Sequence, residues 1–116
     1  MEIQTVDRGD LLDAQVATFA QRRLLFALSR FDTKIDSVVI TVNDLNGPKG
    51  GIDKECQIRI NMHRGQEVII TDVDEDVQVS IARAADRAGR TVARRLERLR
   101  DAVRRSRSPF SLGDIL

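Results

Sequence analysis

Between Glu55 and His63 apolar and polar residues change places at every step. Cys56, Ile58, Ile60 and Met62, with Ile52 ahead of them, fall on one side of an extended chain. Asp53, Glu55, Gln57, Arg59, Asn61 and His63 fall on the other. A period of two belongs to a β-strand, whose successive side chains point to opposite faces. One apolar side and one polar side require a sheet that is covered on one face and wet on the other, a pattern typical of antiparallel pairing. The rest of the core must then come from elements laid on a single face of that sheet.

Neighbouring segments supply partners for this strand. Ile35 to Asp44 repeats the alternation, Val38, Ile40 and Val42 against Val39, Thr41 and Asn43. Arg64-Gly65 reads as a tight turn and Glu67 to Asp72 as a returning strand, while Ile3 to Val6 is a short first strand. Two helical patterns complete the chain. Asp10 is placed to cap a helix over Leu11 to Arg30, because a carboxylate there accepts the free N–H groups of the first turn. Leu12, Val16, Phe19, Ala20, Arg23 and Ala27 share one side of it, and Leu24 and Leu28 widen the apolar face. The pattern fades near Phe31-Asp32. A longer helix runs from about Asp74 to Arg105, with acidic residues at its start and arginines at its end, both favoured by the helix dipole. Ser108-Pro109 stops it. The order strand, helix, three strands, helix reads as α+β: one domain over residues 1–105 and a short tail over 106–116.

The 116 residues suit one domain with a core that needs no disulfide or metal. Aromatics are 3%, with no Trp or Tyr, so the core is aliphatic and base stacking cannot be the main binding device. A single cysteine, Cys56, excludes an internal disulfide and fits a reducing compartment. Glu2, Asp7 and Asp10 interrupt any leader-like apolar run, and no stretch approaches a membrane span, so the expected location is the cytoplasm.

Candidate chemistry is sparse. Gly-Pro-Lys-Gly-Gly, residues 47–51, departs from a phosphate-binding P-loop: Lys49 is followed by Gly50, and a strand comes next rather than a helix. It reads as a connector in which Lys49, with Lys54 beyond it, can touch a phosphate only as a point charge. His63 is alone, Cys56 lies on the covered face, and no His, Cys or Asp cluster has metal-ligand spacing. Asp72, Asp74, Glu75 and Asp76 lack the spacing of a calcium loop and read as the cap of the long helix. No catalytic triad, cofactor or small-molecule substrate is implied.

The long helix carries the strongest functional signal. Val77, Ile81, Ala84, Ala88, Val92, Leu96, Leu99 and Val103 form its core stripe. Arg83, Arg87, Arg90, Arg94 and Arg98 form a second stripe, roughly opposite. Acids at i,i+4 spacing are too few to neutralise five guanidiniums, and like charges along a helix repel. Net charge is only +1, so the total hides a basic C-terminal third. Such a stripe suits a polyanion, and the planar guanidinium fork suits phosphate.

With this order in place, the chain resembles the ribosome hibernation promoting factors, also called ribosome-associated inhibitor A or the sigma-54 modulation family, in their short form. "FAQRRLLFALSRFDTKI" is similar to the family's first helix, and "DEDVQVSIARAADRAGRTVARRL" to its acidic opening and long basic helix. The resemblance implies a four-stranded sheet with both helices on one face, like a double-stranded RNA-binding domain. It implies binding to the small ribosomal subunit at the decoding channel, silencing translation, through basic helix residues facing ribosomal RNA. By position these are Arg23, with Arg22 beside it, and Arg87, Arg90 and Arg94, flanked by Arg83 and Arg98. Gln78 and Ala88 stand where the family often has Tyr and Leu, which implies a thinner core under the second helix. Phe26 stands where a basic residue is frequent, which removes one contact. Two other readings stay open: a protein-interaction module that uses the wet sheet face to regulate transcription or another factor, and a general RNA-binding domain.

Overall fold

The computed structural model describes residues 1–45 and 53–106. Lys49, Ile52, most of the Gly-rich connector and residues 107–116 of the tail lie outside them. The elements follow the expected order: β1 (Glu2–Asp7), α1 (Ala14–Leu28), β2 (Ile35–Asp44), β3 (Lys54–Met62), β4 (Glu67–Asp74) and α2 (Val77–Ser106). Short 3₁₀ segments at Ser29–Lys34 and His63–Gly65 link α1 to β2 and β3 to β4. The sheet is mixed, in the order β1-β2-β3-β4. β1 runs parallel to β2, with Ile3 opposite Val38, while β2/β3 and β3/β4 are antiparallel. A parallel neighbour needs a crossover, and α1 supplies it.

The alternation in β2 and β3 decides which face is covered. Val38, Ile40, Val42, Cys56, Ile58, Ile60 and Met62 are buried, joined by Val68 and Ile70 of β4. Val16, Ala20, Leu24 and Leu28 of α1 and Ile81, Ala84, Ala85, Ala88 and Val92 of α2 close over them in one cluster. Both helices therefore sit on the same face. Each fully buried Leu or Ile contributes about 1.5–3 kcal/mol of transfer free energy, which is how an aliphatic core suffices here. Ser80 is fully buried on the same side of α2, and its hydroxyl donates to the Val77 carbonyl at 2.9 Å.

Small residues on α2 let the helices approach closely. A Cβ on Gly89 would stand 3.0 Å from the Ala27 carbonyl oxygen and 3.3 Å from its Cβ. Ala88, where the family often has Leu, is fully buried on the same helix.

Several boundaries differ from expectation: β4 runs on to Asp74 and α2 begins only at Val77, and both ends of α1 shift. Asp10 does not cap α1: it lies in the left-handed region at φ 56°, and the cap is Asp13, whose carboxylate accepts from the Val16 N–H at 2.8 Å. The reason is Asp7. Its two carboxylate oxygens accept from the N–H groups of Gly9, Leu11 and Leu12 at 2.9–3.1 Å, which ties residues 7–12 into a turn and delays the helix. Burial alone would raise the Asp7 pKa; these backbone N–H groups outweigh it and hold the carboxyl below its usual 3.8. Helix α1 also ends earlier, at Leu28, and the chain tightens into the 3₁₀ segment before β2.

Candidate nucleic-acid interface

All five arginines of the predicted stripe, Arg83, Arg87, Arg90, Arg94 and Arg98, are exposed on the outer side of α2. They are not equivalent. Asp72 follows Val68 and Ile70 on the covered side of β4, directly beside the start of α2, and its side chain is only 9% exposed. Arg83 Nη2 donates to Asp72 Oδ1 at 2.8 Å and to Asp74 Oδ1 at 3.2 Å, and Arg87 Nη1 donates to Asp72 Oδ2 at 3.1 Å. The Arg83 pKa is raised, first by its hydrogen bond to Asp72. The expectation of an uncompensated stripe is thus corrected at its N-terminal end: strand β4 supplies carboxylates that spacing along the helix does not reveal. The acidic run divides its roles. Asp76 caps α2, its carboxylate accepting from the Gln78 N–H at 2.9 Å and its carbonyl from the Ser80 N–H at 3.1 Å. Asp74 accepts from the Asp76 N–H at 2.9 Å and shares Arg83.

Arg90, Arg94 and Arg98 have no carboxylate within ion-pair distance among the described residues, and nor does Arg22 on α1. Arg23 crosses to α2, where Nη2 meets Asp86 Oδ1 at 2.8 Å; its buried Nε has no partner. Lys54 is a half-sequestered structural cation, 2.9 Å from Asp44 Oδ2, rather than a free point charge. Lys49 lies outside the described residues.

Sequence reasoning passed over one neighbourhood. Where α1 and α2 cross at Ala27 and Gly89, a groove of about 340 Å³ opens, lined by Phe26, Ala27, Arg30, Asp86, Gly89 and Arg90. Phe26 is 84% exposed. The Arg30 guanidinium lies 4.5 Å from the centre of the Phe31 ring, a stacking that the adjacent Arg-Phe pair could have suggested.

The opposite face of the sheet has another character. Cross-strand register places Glu2, Ser37, Asn61 and Glu67 in one row, Val39, Arg59 and Ile69 in the next, then Thr41, Gln57 and Thr71, then Asn43, Glu55 and Val73. Three carboxylates stand there against one guanidinium, and Arg59 Nε lies 3.5 Å from Glu67 Oε2. Ile69 and Val73 are 47% and 41% exposed. His63 sits at the β3–β4 turn, exposed, with Nε2 3.0 Å from Asp36 Oδ1. Cys56 is buried, and burial first, then Asp72 and Glu55, push its thiol up to about 12, so it is no nucleophile. Among the described residues no group of three or more His, Cys, Asp or Glu could hold a metal ion, and no helix is long and apolar enough to cross a membrane.

The family model for the sigma 54 modulation protein / S30EA ribosomal protein matches residues 5–100. The chain belongs to this family. No curated protein matches it significantly. Solved structures with the same fold include a ribosomal subunit interface protein from Coxiella burnetii, at TM-score 0.69 and 11% identity, covering 84% of this chain and 99% of that one. The N-terminal domain of Thermus thermophilus Protein Y matches at TM-score 0.65 and 19% identity, covering 81% of this chain and 98% of that domain. As a member of the S30EA family the chain is ribosome-associated, and its mixed sheet with two helices on one face is the architecture of these neighbours.

Proposed function

We propose that this family member binds the small ribosomal subunit at the decoding channel and silences translation by occupying it, as a binding protein rather than an enzyme. The observation that carries this reading is the row of guanidiniums at Arg90, Arg94 and Arg98 on the outer side of α2, which have no carboxylate partner among the described residues. Unpaired arginines on a rigid helix present forked donors to RNA phosphates without first breaking an internal ion pair. Arg22 extends the surface onto α1. Arg23, Arg83 and Arg87 border it but are already engaged by Asp86 and Asp72. Contacts of this kind read the shape and backbone of RNA more than its sequence. Such a protein works in the cytoplasm, with ribosomes as its partner.

Replacement of Arg90, Arg94 and Arg98 together by Glu tests the reading. None of the three is in the core, so the variant keeps its fold. It leaves the small-subunit peak in a sucrose gradient and no longer inhibits translation in a cell-free system. Arg59→Glu, on the outer sheet face, is the control and sediments with the subunit. A triple variant that still sediments with the subunit, beside an Arg59→Glu variant that does not, would transfer the function to the sheet. The exposed Ile69 and Val73 on that face favour this second reading, a protein-interaction surface.

A further inference from the structure

We infer that the groove at the crossing of α1 and α2 is a seat for one unpaired nucleobase, with Phe26 as its stacking platform. The inference rests on the RNA-binding reading above and adds a contact of another chemical kind. Phe26 is the most exposed large apolar side chain among the described residues, at 84%. A fully solvated ring on a helix adds nothing to the core, whose α1 members are Val16, Ala20, Leu24 and Leu28. Its surroundings are not those of an apolar protein contact. Arg90 borders the same groove with no carboxylate partner among the described residues, and Arg22 precedes Phe26 by four residues on α1, one turn away. Arg30 borders it as well, stacked on Phe31 so that the guanidinium is held in place while its N–H edges stay available. Asp86 lines the wall. Its Oδ1 is claimed by Arg23, and its Oδ2 has no partner among the described residues, so that oxygen can accept an N–H from a base edge.

An aromatic face, a base-edge acceptor and flanking cations for phosphates are what a splayed-out nucleotide needs. The floor is rigid because Gly89 and Ala27 touch: a side chain at position 89 would push the helices apart at this point. The groove volume, about 340 Å³, lies at the small end of ligand sites, fit for a single base rather than a longer segment. A ring adjoining free guanidiniums favours a polyanion with π-faces over a peptide. Where a basic side chain at this position would supply one more phosphate contact, Phe26 exchanges charge for stacking.

The chain contains no Trp, so Phe26→Trp places a single fluorescent reporter in the groove. Its emission is quenched on titration with small ribosomal subunits, and with a single-stranded ten-nucleotide RNA at low salt. Phe26→Ala and Phe26→Leu both weaken subunit binding by about 5- to 100-fold, the range for loss of one stacked base, and neither changes the salt dependence, because no cation is removed. Phe26→Trp keeps full affinity. Three results overturn the inference. Equal affinity of wild type, Phe26→Ala and Phe26→Leu refutes the seat while leaving ribosome binding intact. Loss of affinity in Phe26→Ala but not in Phe26→Leu, with unquenched Trp emission, assigns the ring to an apolar protein contact instead. Wild type and Phe26→Trp that bind neither RNA nor subunits remove both the seat and the reading beneath it. Quenching by the oligonucleotide without subunit binding upholds the base seat and removes only the ribosomal reading.

Discussion

Alanine at Arg90, Arg94 and Arg98, compared with alanine at Arg83 and Arg87, separates free cations from engaged ones on the same helix. Each phosphate contact contributes about 0.7–0.9 to the slope of log affinity against log salt, through release of condensed counterions. Three free guanidiniums therefore account for about 2–3 units of slope. Over a fourfold rise in salt, from about 50 to about 200 mM, their removal makes the loss of affinity about 20- to 40-fold smaller than in wild type. Arg83 and Arg87 share Asp72 and Asp74, so this group of four side chains sums to zero charge. Engaged in this way, neither arginine is free to neutralise a phosphate, so their replacement removes no contact and changes the slope by well under one unit. The converse change, Asp72→Asn, releases one positive charge to the surface and steepens the slope by about one unit. The assay is equilibrium binding to purified small subunits across potassium chloride at fixed magnesium. Equal slopes for the double and triple variants would refute the division of the helix into a neutralised and a free half. An unchanged slope in the triple variant would refute the interface itself.

Three further outcomes follow from the local chemistry. Asp7 has a depressed folded pKa, so the stability it supplies is complete above about 3.8 and fades as the pH falls through its lower folded value. Asp7→Asn therefore lowers the melting temperature at pH 7, and the difference from wild type shrinks in melts at pH 2–3. Cys56, buried and pushed up to about 12, stays unreactive toward a thiol-specific disulfide reagent at pH 8 and reacts only in denaturant; rapid labelling of the native protein would contradict its place in the core. Leu24 is fully buried between α1 and the sheet, and Leu24→Ala lowers unfolding free energy by about 3–5 kcal/mol in urea melts.

The parts of the fold legible in the sequence are those in which one local rule acts alone. Val38, Ile40 and Val42 against Val39 and Thr41 place β2 and its covered face, because the period of two has no competitor there. The start of α1 is not legible because Asp10 and Asp13 both qualify as caps, and Asp7, outside the helix, chooses between them. The direction of β1 was not visible either, since a six-residue strand carries no mark of parallel pairing. At the candidate interface the sequence shows where the arginines lie but not which lack a partner among the described residues. Asp72 is 11 residues from Arg83 and 15 from Arg87, distances that counting at i,i+4 never samples, and only the docking of α2 beside β4 joins them. Arg23 meets Asp86 across 63 residues for the same reason. Phe26 was visible only as a departure from a basic position; its groove exists because two helices cross at Gly89.

The unequal faces of the sheet and the helix layer bear on how the molecule arrives, apart from how tightly it stays. With a net charge of +1 the protein feels little pull from a distant polyanion. Closer in, Glu2, Glu55 and Glu67 are repelled while the row from Arg90 to Arg98 is drawn forward, so the field acts as a torque before it acts as a tether. On the proposed RNA-binding reading, such a molecule turns as it approaches and meets RNA helix-first, which raises the share of collisions that are productive without deepening the bound state. On that reading the carboxylates on the far face belong to the approach although they do not touch the target.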